Sequence, residues 1–399
     1  MAWTFFLATA GIGLSRADPS RGKTPPPRPP LSKLDVGALG YRPWSVHEAE
    51  IEHRFSVGQL HFLSADRLVV TFVSHVVPPT LPRRGQPEVA SSLELNALFI
   101  NATTGKLEAT RKWPTTAERS RIAPAPKGGF VVITPDKLVL YSPTMQPIGE
   151  LNIPVGREAS ETFWDAVPSP RGDYILIWYD SRDGLHRTFE LVNTQSMEVT
   201  GSGPNDHGPG SIPVYAVLDD GTMLADNSRG ALVLEPPRGP WREPQFAWSP
   251  GCKAWWHLPV SGQALFGGRT LGIERWCYSL ALTTGEVVFE LPLPEKEMAR
   301  YVTGSGSRER LALAIEKGRG GSWLLDIPDR YSLNRITVYD IQSRQWIFSL
   351  QGKVQHIRSI SGLALSPDGS NLALIDQDGI LRVYEVEAGK TVSGENGVR

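Results

Sequence analysis

The stretch 360–386, which reads ISGLALSPDGSNLALIDQDGILRVYEV, constrains the fold of this chain more than any other. Its apolar runs are interrupted twice, at 366–369 and at 376–379. Each interruption ends in glycine, which supplies the positive φ of a tight reversal, and Asp368 and Asp378 can hydrogen-bond nearby backbone amides. The pattern predicts three short antiparallel strands. Such a unit is marginally stable alone, so it must bury one face against a neighbour.

The segment LALSPDGSNLALIDQDGILRVYEV resembles a repeat of the WD40/YVTN-type β-propeller superfamily. In that superfamily apolar-SPDG-apolar makes the first two strands and DG-x-hydrophobic-Tyr makes the third. The segment departs from the strict WD40 pattern, because no Gly-His pair precedes it and Tyr384-Glu385 stands where Trp-Asp would be. The resemblance implies an all-β propeller fold and no particular partner.

Looser copies of the pattern recur along the chain. Turns between a first and a second strand are predicted at 64–66, 126–129, 169–172, 219–221, 261–262, 304–307 and 366–369. Third strands are predicted at 95–100, 137–141, 187–192, 231–234, 277–282, 336–339 and 381–384. The central turns are about 42 to 49 residues apart, and the two end gaps are longer by roughly 15 to 20 residues. We therefore predict one propeller of about seven blades of four antiparallel strands, with six or eight as the alternatives.

The composition suits many short strands. The 399 residues include 39 Gly, 33 Pro and 12 Trp, so the chain is rich in turn-forming residues and in large aromatic side chains. Such a composition suits short strands better than long helices. We expect the tryptophans to fill the wedges between blades rather than to form a carbohydrate-stacking surface. The net charge of −1 gives no global field of the kind that attracts nucleic acid or an anionic membrane.

The two ends of the chain are predicted to lie outside the propeller. The apolar run 3–14, followed by Ser15-Arg16-Ala17, is typical of a signal peptide spanning 1–17. No Lys or Arg precedes that run, so an uncleaved anchor or a wrongly chosen start codon is the alternative. Residues 18–40 are predicted to be a proline-rich linker, 41–388 the propeller and 389–399 a polar tail. An extracellular or periplasmic protein without a membrane span after cleavage is expected.

The last repeat supplies only three strands, so the N-terminal part of the chain is predicted to complete it. A strand donated by the other chain end would close the ring and remove an exposed sheet edge. The loosely alternating segment from Trp44 to Phe55 is the predicted closing strand, in a folded part that begins near Tyr41.

Two long insertions mark a predicted binding rim. Segments 75–90 and 316–333 both join a second to a third strand, so they emerge on the face that also carries the connections between blades. The two insertions belong to the first and sixth repeats, which only the seventh repeat separates in a ring. The insertions can therefore approach each other. A protein or an extended ligand is the predicted partner, because Arg and aromatic side chains offer large contact energies. The predicted binding residues are Arg83, Arg84, His207, Trp323, Asp326, Asp329, Arg330 and Tyr331. The alternative is that these loops only pack on the rim.

Signatures of catalysis are missing from the sequence. No GxxxxGK[ST], GxSxG, HExxH or CxxC pattern is present, so no cofactor and no metal site are predicted. His207 beside Asp206 has the residue types of a metal or acid–base site, but a turn is the favoured interpretation. The predicted function is a non-enzymatic interaction scaffold. The alternative is a propeller enzyme of the lactonase or quinoprotein type, with its site at the central channel.

The two cysteines, Cys252 and Cys277, both fall in the fifth repeat. Cys252 is expected to precede the first strand and Cys277 to open the third, about two strand spacings apart and beyond direct disulfide reach. A disulfide therefore requires the loop that carries Cys252 to fold inward. Export favours the bond, and buried free thiols are the alternative.

Overall fold

The computed structural model describes residues 28–41, 60–75, 93–116, 120–153, 161–181, 187–204, 214–227, 230–234, 252–258, 263–270, 273–281, 287–290, 297–305, 307–319, 330–352, 357 and 360–386. Within these ranges the chain forms strands and turns, with one 3₁₀ turn at Pro126–Gly128 and no α-helix. This part of the chain accordingly offers no helix with the length and apolar character that a bilayer span requires. The predicted all-β class is confirmed.

The described strands form seven antiparallel sheets, numbered here in chain order. The chain begins with β1 (Ser32–Asp35). Sheet 1 contains β2 (Leu60–Phe62), β3 (Arg67–His75), β4 (Leu93–Asn101) and β5 (Leu107–Thr115). Sheet 2 contains β6 (Arg121–Pro124), β7 (Phe130–Ile133), β8 (Lys137–Tyr141) and β9 (Pro147–Asn152). Sheet 3 contains β10 (Glu161–Pro168), β11 (Tyr174–Ser181), β12 (Arg187–Asn193) and β13 (Glu198–Pro204).

The second half of the chain continues the series. Sheet 4 contains, among the described residues, β14 (Val214–Val217), β15 (Met223–Asn227) and β16 (Gly230–Leu234). Sheet 5 contains β17 (Cys252–Leu258), β18 (Gln263–Thr270), β19 (Ile273–Ala281) and β20 (Val287–Glu290). Sheet 6 contains β21 (Glu297–Gly304), β22 (Arg310–Arg319), β23 (Arg330–Asp340) and β24 (Gln345–Gln351). Sheet 7 contains β25 (Ile360–Leu365), β26 (Asn371–Asp376) and β27 (Ile380–Glu385), and β1 completes it.

The first strand of each sheet lies on the inside of a closed ring. Inner strands of successive sheets contact one another, and β25 of sheet 7 contacts β2 of sheet 1. Between sheets 2 and 3, Arg121 on β6 donates a hydrogen bond to the carbonyl oxygen of Ala166 on β10. Each sheet therefore packs against the next around a common axis, as the repeats predicted.

The closing strand comes from a different part of the N-terminal region than predicted. β1 pairs with β27, with Ser32 opposite Val383 and Asp35 opposite Ile380. The predicted closing segment 44–55 lies outside the described residues, and the folded part begins within the stretch assigned to the linker. Ser32 is buried and Leu34 partly buried, while the two residues between and after them are exposed. This alternation is only four residues long and follows two prolines, so it was too weak a signal to be recognised.

Apolar side chains fill the wedges between neighbouring sheets. All four residues of β7, which reads FVVI, are buried, whereas the outer strand β9 is exposed along most of its length. Trp178 is 1% exposed and packs in the cluster between sheets 3 and 4. Trp113 packs against Phe130 and Tyr141 between sheets 1 and 2. The predicted wedge-filling role is confirmed for these two tryptophans.

Because every sheet is a meander, its connections divide between two faces of the ring. Connections from first to second and from third to fourth strands emerge on one face, which we call the turn face. Connections from second to third strands, and those between sheets, emerge on the other, which we call the insertion face. Each of the seven predicted first turns falls where a first strand is followed by a second, although Gly304 is still the last residue of β21. The strand order predicted from the turns is therefore correct.

Candidate binding face

Both predicted insertions emerge on the insertion face, from sheets 1 and 6, which flank sheet 7. The second insertion is shorter than predicted. β22 continues to Arg319 and β23 begins at Arg330, so 316–319 and 330–333 belong to strands rather than to a loop. Arg319 lies opposite Arg330, which makes the base of this insertion a paired extension of sheet 6.

The predicted binding residues fall mostly outside the described part of the chain. Arg330 and Tyr331 are the first two residues of β23, opposite Arg319 and Gly318. The others lie outside the described residues, and their roles stay predictions: Arg83, Arg84, His207, Trp323, Asp326 and Asp329.

The two cysteines lie on either side of β18. Cys252 is the first residue of β17, opposite Gly268, and Cys277 lies within β19. Neighbouring strands are about 4.8 Å apart, so the two Cα atoms are separated by at least about 10 Å, whereas a disulfide requires less than about 7 Å. Cys252 begins its strand rather than preceding it, and Cys277 lies inside its strand rather than opening it. The predicted inward movement of Cys252 would therefore have to unpair the end of β17.

The root of the first insertion is held by an aromatic pair and by an amide. The ring of Phe72, near the end of β3, packs edge-on against the ring of Tyr41, with centroids 5.9 Å apart. Asn96 of β4 is 5% exposed, and its Nδ2 donates to the Oγ of Ser74 at 2.9 Å and to the carbonyl oxygen of Glu94 at 3.0 Å. The two strands below the insertion are thus tied by side chains as well as by their ladder.

A buried ion pair lies at the root of the second insertion. Glu297 begins β21 and is 4% exposed. Arg335 of β23 donates from Nη1 to Oε1 at 3.2 Å and approaches Oε2 with Nη2 at 2.7 Å. Asn334 adds a third contact, from Nδ2 to Oε1 at 2.7 Å. Such a forked pair fixes the orientation as well as the separation of its partners.

A β-bulge places Asn334 at this site. Ile315 lies opposite Arg335 and Glu316 lies opposite Leu333, so Asn334 has no opposite residue. A bulge bends its strand and re-aims the extra side chain. The backbone of Asn334 also accepts a hydrogen bond, because the amide of Gly352 donates to its carbonyl oxygen at 2.8 Å.

Tyr41 links the root of the first insertion to the inner strand of sheet 7. Its hydroxyl donates to the Oγ of Ser361 on β25 at 2.9 Å, and the residue is 1% exposed. Burial raises the pKa of Tyr41 to about 12; the hydrogen bond with Ser361 opposes the rise and the neighbouring Tyr301 of β21 adds to it. The hydroxyl therefore stays protonated across the physiological range and remains a donor.

Bulges on the inner strands are the feature that sequence reasoning missed. Within the described strands, five inner strands carry an extra residue, namely Trp164, Tyr215, Trp255, Arg300 and Ser361. No common residue type marks these positions, which is why alternation alone could not reveal them. Bulges are frequent beside functional sites.

Burial and a neighbouring charge act on a histidine of an inner strand. Burial lowers the pKa of His61 on β2 to about 4, and the charge of Arg121 contributes. The imidazole is therefore neutral at neutral pH. Among the described residues no three His, Cys, Asp or Glu side chains are close enough together to hold a metal ion.

Direct contacts between sheets are concentrated on the turn face. At the junction of sheets 6 and 7, Arg310 donates from Nη1 to the carbonyl oxygen of Gly369 at 2.8 Å, and the Ser307 hydroxyl donates to that of Pro367 at 2.8 Å. Contacts of this kind lie at four other junctions between sheets. They join Asn371 to Ala65 (sheets 7 and 1), Arg67 to Pro143 (sheets 1 and 2), Gly172 to Pro124 (sheets 3 and 2), and Arg171 to Asp219 (sheets 3 and 4). These described contacts form what we call the turn belt.

Comparisons with known proteins show the fold. No protein-family model and no curated protein matches the sequence. A chain in a crystal structure of the mitotic checkpoint complex is 14% identical, with a TM-score of 0.51 over 92% of this chain and 98% of that chain. The Neurospora crassa Pan2 WD40 domain is 11% identical, with a TM-score of 0.50 over 90% of this chain and 95% of that chain. This chain therefore has the fold of a WD40-type β-propeller.

Proposed function

We propose that this chain is a non-enzymatic, exported interaction scaffold that binds a protein or an extended ligand on its insertion face, across sheets 6, 7 and 1. The observation that carries the proposal is the position of the two insertions. Both leave the same face from the two sheets that flank sheet 7. Long loops on a rigid scaffold are where binding residues concentrate.

The roots of the insertions support the proposal because they are fixed in place. Glu297 with Arg335 holds one root, and Tyr41 with Phe72 holds the other. Ordering a binding segment costs conformational entropy, which reduces affinity. A segment whose base is already fixed loses less conformational entropy on binding. The turn face, in contrast, uses its side chains to join sheets.

The path of the N-terminal region also fits this proposal. β1 runs from the turn face at Ser32 to the insertion face at Asp35, and the guanidinium of Arg28 lies 5.1 Å from the ring centroid of Phe348 on β24. The chain therefore enters the ring from the turn face. A leader or tether that precedes Arg28 would leave the insertion face free for a partner.

Site-specific photo-crosslinking tests the binding face. A photoreactive phenylalanine analogue replaces Tyr331 on the insertion face, and the matched control replaces Arg308, an exposed residue of the turn face. We expect discrete protein adducts from position 331 and none from position 308 when the protein is irradiated in the medium of its host cells. Equal adducts from both positions, or adducts from position 308 alone, would contradict the proposed face.

N-terminal sequencing of the secreted protein tests export separately. If the signal peptide is cleaved after Ala17, protein recovered outside the cell begins at Asp18. Retention of the full N-terminus inside the cell would overturn the exported part of the proposal and leave the binding face standing.

A further inference from the structure

We infer that residues 28–41, which we call the latch, set the conformation of the insertion face as well as closing the ring. The inference rests on the proposed function for its biological meaning. Physically, it rests on Tyr41, which links the closing strand to the bulge of β25 and to the root of the first insertion. Closing the ring and assembling the binding face are then one event.

The latch fixes the backbone of Tyr41 relative to sheet 7. The amides of Val36 and Gly37 both donate to the carbonyl oxygen of Gly379, at 3.0 and 3.1 Å. The turn that follows is closed by the amide of Tyr41, which donates to the carbonyl oxygen of Val36 at 3.0 Å, and by the amide of Ala38, which donates to Oδ1 of Asp35 at 2.8 Å. Tyr41 therefore moves only if the pairing of β1 with β27 also moves.

The side chain of Tyr41 joins two sheets. Its ring packs against Phe72 of sheet 1, and both residues belong to the apolar cluster that also contains Ile375 and Leu381 of sheet 7. Phe72 precedes the first insertion by only a few residues. Release of the latch would therefore remove a packing partner from the root of that insertion.

The hydroxyl of Tyr41 donates a hydrogen bond to a bulged residue of the inner strand β25. Ser361 is the extra residue of the bulge in β25, so the regular ladder does not fix its position. The next residue, Gly362, lies so close to Leu60 of β2 that an added Cβ would be 3.2 Å from the Cβ of Leu60. A shift of the bulge would consequently reach the first strand of sheet 1, and with it the sheet that carries the first insertion.

Hydrogen–deuterium exchange of the full chain tests the latch without any ligand. The variants are Tyr41→Phe, Ser361→Ala and the double variant. The matched control is Tyr384→Phe, because Tyr384 is also 1% exposed in sheet 7 but its hydroxyl has no hydrogen-bond partner among the described residues. We expect exchange in 70–75 and 360–363 to rise about fivefold in both single variants, the factor for about 1 kcal/mol, and no change in the control.

Two features of the result separate positioning from general loss of stability. The double variant should exchange no faster than either single variant, because the two hydroxyl groups form one interaction. Exchange in the turn belt, at 305–310 and 366–371, should stay within twofold of the wild type. Unchanged exchange at 70–75, or an equal rise in the turn belt, would overturn the inference.

Crosslinking at position 331 separates this inference from the proposed function. If Tyr41→Phe raises exchange locally but position 331 forms no adduct even in the wild type, the latch stands and the proposed function fails. If adducts form equally well with Tyr41→Phe and exchange is unchanged, the function stands and the latch inference fails. We expect a local rise in exchange together with a lower adduct yield.

Discussion

The turn face and the insertion face hold the same ring in different ways. On the turn face the described contacts run from sheet to sheet, as from Arg310 to Gly369. On the insertion face they run mostly within one sheet, as from Glu297 to Arg335. A ring held together at one face leaves loops on the other free to vary without opening it. Tyr41, which joins sheets 7 and 1, and Arg121, which donates to Ala166 between sheets 2 and 3, are exceptions.

The largest loss of stability is expected from a substitution at a tightly packed glycine of the turn belt. Gly172 has a φ of +77°, and a Cβ there would collide with the carbonyl oxygen of Pro124 in the neighbouring sheet. Gly172→Ala should lower the free energy of unfolding by more than about 4 kcal/mol, since backbone must move. The control is Gly105→Ala, with a φ of +68° and a nearest contact of 3.2 Å, for which about 1–2 kcal/mol is expected. Equal losses on denaturant unfolding would mean that the belt is not tightly packed at this junction.

A somewhat smaller loss is expected from the ion pair on the insertion face. Arg335→Met leaves the carboxylate of Glu297 buried with only Asn334 as a partner, which should cost about 3–5 kcal/mol. Because the pair lies within sheet 6, amide protection at 371–376 of sheet 7 should be unchanged under native conditions. The double variant Glu297→Gln/Arg335→Met should recover part of the lost stability. A loss of protection in sheet 7 would show that the two faces do not differ as described.

Two aspartates of the turn face should respond to pH in opposite directions. Burial raises the pKa of Asp219, although hydrogen bonds from Arg171 and Ser169 oppose the rise. For Asp368, burial also raises the pKa, but hydrogen bonds from Ser366 and Ser370 outweigh this effect and hold the pKa below its usual range. The stabilisation from Asp219 is thus present below the unfolded pKa of about 3.9 and lost as pH rises, whereas that from Asp368 is present above about 3.9 and lost as pH falls.

The matched variants Asp219→Asn and Asp368→Asn test these signs by melting temperature between pH 2.5 and about 6. Relative to the wild type, Asp219→Asn should gain stability as pH rises above about 4. Asp368→Asn should lose stability, relative to the wild type, as pH rises toward about 4. Differences that do not vary with pH, or that vary in the same direction, would contradict the assignment.

The smallest effect on stability is expected at Leu39, on the insertion face. This side chain is 39% exposed on the turn that ends at Tyr41, so Leu39→Ser should change the free energy of unfolding by less than about 0.5 kcal/mol. If the insertion face binds a partner, the same variant should lower the adduct yield from position 331. A large loss of stability would place Leu39 in the core rather than on a free surface.

The turns made the fold predictable from the sequence. A positive φ at Gly369 and Gly379 is a local requirement, and the same need at other first turns gave the order of the strands. The closing strand was misplaced because a short edge strand next to Pro29 and Pro30 resembles an extended linker. Its pairing with β27 joins residues more than 300 positions apart, which no local pattern encodes.

The candidate face was predictable only in outline. The position of the insertions followed from the turns, but their roots depend on contacts between distant residues, such as Glu297 with Arg335 and Tyr41 with Ser361. The bulges that aim Asn334 and Ser361 have no sequence signature, since they arise from the pairing of two strands. The Gly-rich segment after Glu316 was predicted to be a loop, yet ladder pairing extends β22 to Arg319.

The most direct test of the account is a disulfide between the first and last strands of the ring. Lys33 lies opposite Arg382, so a protein with Lys33→Cys and Arg382→Cys should form an intramolecular bond under mild oxidation, detected by mass spectrometry of the cleaved chain. The control with Lys33→Cys and Glu385→Cys places the thiols about three residues out of register, roughly 10 Å apart along the strand, and should not. Rapid bonding in the first protein alone is the predicted result; no bonding in the first, or equal bonding in both, would contradict a ring closed by β1.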